Sequence, residues 1–137
     1  MKKALTIRLV CHILHLNNHS SVQTKVSGMD ETQTIEYVKS KIPNDETITA
    51  VAEFFKVFGD PTRAKIMSCL AVRDLFVNEI AEVVGMSISA VSHQLRVLRS
   101  AKLVKASKLG KEVKYCLDDN HVMQIIESGI VHVNEEH

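Results

Sequence analysis

Tryptophan is absent from the 137 residues, and only four phenylalanines and two tyrosines are present, so any core must be aliphatic. Cysteine is sparse as well. Cys11, Cys69 and Cys116 are odd in number and far apart, which excludes the paired spacing of a zinc ribbon or a dithiol redox motif and implies a reducing, cytoplasmic compartment. No apolar run reaches the roughly 18 residues a membrane span requires. The apolar stretch after Lys2 and Lys3 is broken by Arg8, His12 and His15 and no small-residue cleavage site follows, so neither a signal peptide nor a membrane partner is expected. Repeats and low-complexity segments are lacking. Net charge is nearly lacking too, at a formal +1, and the total by itself excludes no partner.

The distribution of charge is more telling. Residues 87 to 117 hold seven bases (Arg96, Arg99, Lys102, Lys105, Lys108, Lys111, Lys114) against the single acid Glu112, the footprint expected of a phosphate-binding surface. Residues 118 to 137 hold five acids and no Lys or Arg.

Residues 1 to 28 have no clean period and are expected to be a flexible extension, with a domain beginning at Met29. A short helix is predicted over residues 31 to 42, stopped by Pro43. Asp45 can cap a helix through Ile48, Val51, Ala52, Phe55 and Phe58 that ends at Gly59. Asp60-Pro61 then reads as an N-cap with proline at the first helical position, opening a helix through Ile66, Met67 and Leu70. After a break at Arg73-Asp74, a short helix from Val77 to Val84 closes at Gly85, and Ser87 caps another running to about Ala101. Two such helices joined by Gly85-Met86-Ser87 read as a helix-turn-helix. From Val104 the period becomes alternating on either side of Leu109-Gly110-Lys111, which predicts a two-stranded hairpin, a wing. Asp118 or Asp119 caps a last helix to about Asn134. The fold class is therefore mainly α with a small β-hairpin, a winged helix-turn-helix over residues 29 to 137.

On a helix over 88 to 100, Ile88, Val91, Leu95 and Leu98 fall within about 80° of one another and form a core-facing stripe. Ser89, Ser92, His93 and Arg96 fall on the other side. Short hydroxyls, an imidazole and a guanidinium suit a face that reads base edges and phosphates. Gln94, Arg99 and Lys102 flank it as backbone contacts, and Ser87 with the wing lysines Lys108 and Lys111 completes the expected DNA-binding set.

The runs Phe58-Gly59-Asp60-Pro61-Thr62-Arg63, Ser89-Ala90-Val91-Ser92-His93-Gln94-Leu95-Arg96-Val97-Leu98 and Gly110-Lys111-Glu112-Val113-Lys114-Tyr115 resemble the ArsR/SmtB family of metal-sensing repressors. The resemblance covers about residues 45 to 135. It implies a dimeric winged-helix fold, an inverted-repeat DNA operator, and repression relieved when metal binds.

The last helix carries Asp119, His121, His132 and Glu135, oxygen and imidazole donors of the kind tetrahedral zinc takes. His121 and His132 stand about 16 Å apart along one helix axis, too far for one ion. Two copies packed antiparallel about a twofold would instead bring the first pair of one copy to the second pair of the other, giving two sites per dimer. Val122, Ile126, Ile130 and Val133 form an apolar stripe that gives the helices a reason to pair. In the zinc-sensing branch the resemblance implies this same spacing of an Asp, a His two later, a second His 11 beyond, and a His or Glu three further. Zinc is the expected cofactor, with cobalt or nickel as alternatives, and Glu136 or His137 can stand in for Glu135. Thiolate-using members carry cysteine where this chain has Phe76 and sometimes where it has Asn78, so cadmium, lead or arsenite sensing through that site is not expected. His12, His15 and His19 beside Cys11 would share a helical face if that segment folded.

Three other functions compete. A zinc hydrolase needs an open coordination position, which four donors would close, and no pocket motif or nucleophile elbow is present, so no enzyme activity is expected. A thiol-based redox repressor of the same fold would use Cys69 or Cys116. A dimer module that never binds DNA would not need the basic wing.

Overall fold

In a computed structural model, residues 28–135 are described. The chain divides into two units between Asp45 and Glu46. The first contains α1, Glu31–Lys41. Its start is a reciprocal cap: Asp30 Oδ1 accepts from the Gln33 amide at 2.8 Å and Gln33 Oε1 accepts from the Asp30 amide at 3.1 Å. It stops because Ile42, held extended ahead of Pro43, cannot continue a helix. None of its residues is buried.

The second unit holds α2 (Asp45–Phe58) from its second residue on, then α3 (Pro61–Val72), β1 (Leu75–Phe76), α4 (Val77–Val84), α5 (Ile88–Ser100), β2 (Val104–Leu109), β3 (Glu112–Leu117) and α6 (Asn120–Asn134). Asp45 is the first residue of α2 rather than its cap. The helix is amphipathic, yet no residue in it is fully buried. Phe54, Val57 and Phe58 lean on the core, while Ile48, Val51 and Phe55 are exposed.

Asp60 caps α3 as its sequence predicts, with Oδ1 accepting from the Arg63 amide at 2.9 Å. The Arg63 guanidinium reaches back and donates to the Val57 carbonyl at 2.7 Å, tying the end of α2 to the start of α3. Gly85, at φ +71°, ends α4 in the left-handed conformation a side chain would resist. Two residues later the Ser87 hydroxyl accepts from the Ala90 amide at 3.1 Å and starts α5.

The core is aliphatic, as the missing aromatics require. Ile66, Met67, Ile80, Val91, Leu95, Leu98 and Leu103 are its most enclosed side chains, and no polar side chain is buried among the described residues. Three of the four stripe residues of α5 are in it. Ile88 is not: it is the first residue of the helix and 53% exposed.

The wing is larger than the hairpin read from the sequence. β2 and β3 pair antiparallel from Val104↔Leu117 to Leu109↔Glu112, closed by Gly110-Lys111 with Gly110 at φ +64°. β1 adds a third strand through Leu75↔Tyr115 and Phe76↔Lys114, in the order β1-β3-β2. In α6, Val122 and Ile126 are buried in their own core, while Ile130 and Val133 stay exposed. The stripe expected to pair helices is thus half spent within the chain, because the first turns of α6 pack on α3 and β3.

Candidate nucleic-acid interface and metal centre

Helix α5 presents Ser89, His93, Arg96 and Arg99 to solvent, and Ser92 is half-buried between them. Val91, Leu95 and Leu98, buried on the opposite side, fix this orientation. Ser92, Arg96, Arg99 and Ser100 line a cleft of about 450 Å³ that Tyr115 of β3 closes from the wing side. Two guanidiniums, hydroxyls and a phenol in one concavity can bind a phosphate oxygen by charge-assisted hydrogen bonds. Sequence reasoning missed Tyr115 as part of this face. No pattern in the sequence marks it, because its alternation with Val113 and the buried Leu117 reads as a core-facing side, and only strand pairing and packing bring Tyr115 to the cleft.

Other members of the expected set are placed less simply. The Ser87 oxygen is occupied as the α5 cap. Gln94 is half-buried, and its Oε1 is enclosed with no hydrogen-bond partner. Lys102, Lys108 and Lys111 are exposed around the end of α5 and the wing. Two of the seven bases are already engaged: Lys114 Nζ lies 5.8 Å from the centre of the Phe76 ring, and Lys105 Nζ lies 3.5 Å from Asp118 Oδ1.

Two residues past β3, Asp119 is the N-cap of α6. Its Oδ1 accepts from the Val122 amide at 3.0 Å, and its Oδ2 lies 3.5 Å from His121 Nδ1. The Val122 amide, foremost, holds the Asp119 carboxyl below its ordinary value, and His121 adds to this. A spacing of 3.5 Å is long for a hydrogen bond. It is close to the roughly 3.3 Å that separates two donors on one tetrahedral zinc with bonds near 2.05 Å. His132 lies in the last turn of α6 and Glu135 is its C-cap, both exposed. Among the described residues, no three His, Cys, Asp or Glu side chains of one chain converge. Cys11, His12, His15, His19, Glu136 and His137 lie outside the described residues.

The start of α4 offers no thiol: Phe76 is its N-cap and Asn78 its second residue. Cys69 and Cys116 are free and half-buried. Burial pushes the Cys69 thiol up, against the pull of Lys65, and so disfavours the thiolate. No helix among the described residues is long and apolar enough to cross a membrane.

Residues 60–106 match the family described as bacterial regulatory protein, arsR family. A transcriptional repressor SmtB homolog from Synechocystis sp. is 38% identical over 123 residues, 90% of this chain and 81% of that protein. The chain belongs to the ArsR/SmtB family of metal-sensing transcriptional repressors. As a transcriptional regulator of this family it is not an enzyme. Another ArsR/SmtB relative, the cadmium resistance transcriptional regulatory protein CadC homolog of Staphylococcus aureus, is 40% identical over 86 residues, 62% of this chain and 71% of that one. The winged helix-turn-helix fold is shared with a homodimeric DNA-binding domain, Mb0332 from Mycobacterium bovis, at a TM-score of 0.62 and 23% identity, covering 71% of this chain and 99% of that one.

Proposed function

We propose that the chain acts as a homodimer that holds an inverted-repeat operator through α5 and the wing and releases it when zinc binds across the dimer. Each of two sites would use Asp119 and His121 of one subunit with His132 and Glu135 of the other. The observation that carries this reading is the first donor pair. Asp119 and His121 already stand at a zinc-like spacing, and the second pair is about 16 Å further along the same helix, out of reach of one ion.

Asp119 can serve both tasks, because Oδ1 satisfies the cap and Oδ2 is left toward His121. The five acids of residues 118 to 137 would repel their copies in a dimer, and bound zinc would supply the offsetting positive charge and a fixed cross-link between the C-terminal helices. Cobalt and nickel accept the same donors, so the choice of zinc rests on the oxygen and imidazole set and on the lack of thiol at the start of α4. Arg96, Arg99, Lys108 and Lys111 supply phosphate affinity, and Ser89, Ser92 and His93 set base preference. Productive contact on both half-sites requires the two α5 helices to sit about one DNA turn apart, roughly 34 Å. Fixing the C-terminal helices in one relative orientation shifts that spacing.

The test is an operator-binding titration with and without zinc, on an inverted repeat from the protein's own promoter. Zinc should weaken binding, and by linkage operator DNA should weaken zinc binding by the same factor, about 5- to 150-fold for a typical coupling. A heterodimer of His121→Ala with His132→Ala has one site stripped of both histidines and one intact. It should bind one zinc tightly per dimer, and recovery of none would rule out the cross-subunit arrangement.

A further inference from the structure

The polypeptide passes from the wing to α6 through two residues, Asp118 and Asp119. Asp118 is held from the β2 side at every polar group it has. Its amide donates to the Leu103 carbonyl at 3.0 Å. Its carbonyl accepts from the Lys105 ammonium at 2.5 Å, and its carboxylate lies 3.5 Å from the same nitrogen. The side chain of Asp118 is only 27% exposed. One residue later, Asp119 caps α6 and faces His121. The peptide group joining Asp118 to Asp119 is therefore the joint about which α6 can turn against the wing, and Lys105 grips its carbonyl oxygen.

From this geometry we infer that Lys105 is a positioning residue that couples the Asp119–His121 end of α6 to the wing, and that it is not a DNA phosphate contact. The inference rests on the proposed zinc response and deepens it. By sequence Lys105 belongs to the basic segment, yet its charge is spent on a residue next to the candidate metal ligands. If the carbonyl were free to rotate, α6 could be reoriented by its ligands while the wing stayed where it was. With Lys105 in place, a turn of the first residues of α6 pulls on β2, which is paired along its whole length with β3.

Lys105 is exposed along much of its length, so Lys105→Met should fold. Three quantities are measured for the full chain, Lys105→Met and Lys105→Arg: operator affinity without zinc over a salt series, zinc affinity of the free protein, and the factor by which zinc weakens operator binding. Lys105→Met is expected to cut that factor roughly threefold or more from its wild-type value, with operator affinity, salt slope and free-protein zinc affinity unchanged. Lys105→Arg, which can still donate to the carbonyl, should restore the factor. A salt slope lower by about 1 with the factor unchanged would make Lys105 a phosphate contact and overturn the inference. All three quantities unchanged would overturn it as well. A wild-type chain that does not respond to zinc would instead sink the proposed function, a result distinguishable because it needs no variant.

Discussion

At φ +56°, Lys102 occupies the left-handed region without being glycine, at the point where α5 turns into β2. The turn is fixed by two hydrogen bonds, Leu103 amide to Leu98 carbonyl at 2.9 Å and Lys102 amide to Arg99 carbonyl at 3.0 Å, the pattern in which glycine is the usual occupant. Holding lysine there costs about 1 kcal/mol. Lys102→Gly should therefore raise the melting temperature by a few degrees while weakening operator binding, because a cation beside Arg99 is lost. Arg96→Ala should do the opposite, leaving stability within about 0.5 kcal/mol and lowering operator affinity, since Arg96 is exposed and lines the cleft. Thermal melts and a binding series at several salt concentrations separate the two. A Lys102→Gly chain that melts no higher would mean that the turn stores no strain. At this scale the caps at Asp60 and Ser87 were legible, and Asp119 was one of two candidates, each satisfying an amide three residues on, whereas Asp45, also read as a cap, is the first residue of α2. Lys105 and Tyr115 were not, because their partners are brought close only by strand pairing and packing.

Helix α6 begins on a carboxylate whose ionised form is favoured by the Val122 amide. A folded value below the ordinary one near 3.9 means that the cap contributes its full stabilisation above that value and loses it as pH falls through the lowered folded value. Asp119→Asn keeps a neutral cap that does not titrate. Its unfolding free energy, followed by denaturant titration from neutral to strongly acid pH, should lack this acid-side component, and its zinc affinity should fall. Unchanged zinc affinity would remove Asp119 from the ligand set. The helices themselves were legible from caps and a 3.6-residue period. β1 was not, since two residues cannot display an alternation, and its place in the sheet is set by pairing with Tyr115 and Lys114. The α6 stripe was only half legible. Periodicity shows that Val122, Ile126, Ile130 and Val133 share a face, but not that the first two are buried within their own chain.

For the whole molecule, α6 carries Asp119, His121, His132 and Glu135 too far apart to converge within one chain, so the proposed metal site would need a second copy. In α2, Ile48, Val51 and Phe55 remain outside the core. If the homodimer covers them, melting temperature should climb with protein concentration, and Phe55→Asp should abolish that dependence along with operator binding. A melting temperature indifferent to concentration would place the subunit contact elsewhere. A helix with nothing fully buried in its own chain also bears on gene dosage. If the homodimer covers α2, a cell making few copies would hold a larger share of them as single chains whose α2 lacks that cover, more open to proteolysis and, on the proposed inverted repeat, unable to hold both halves. Silencing would then set in steeply as copy number rises, and the amount of regulator, as well as the metal, would decide when the promoter opens.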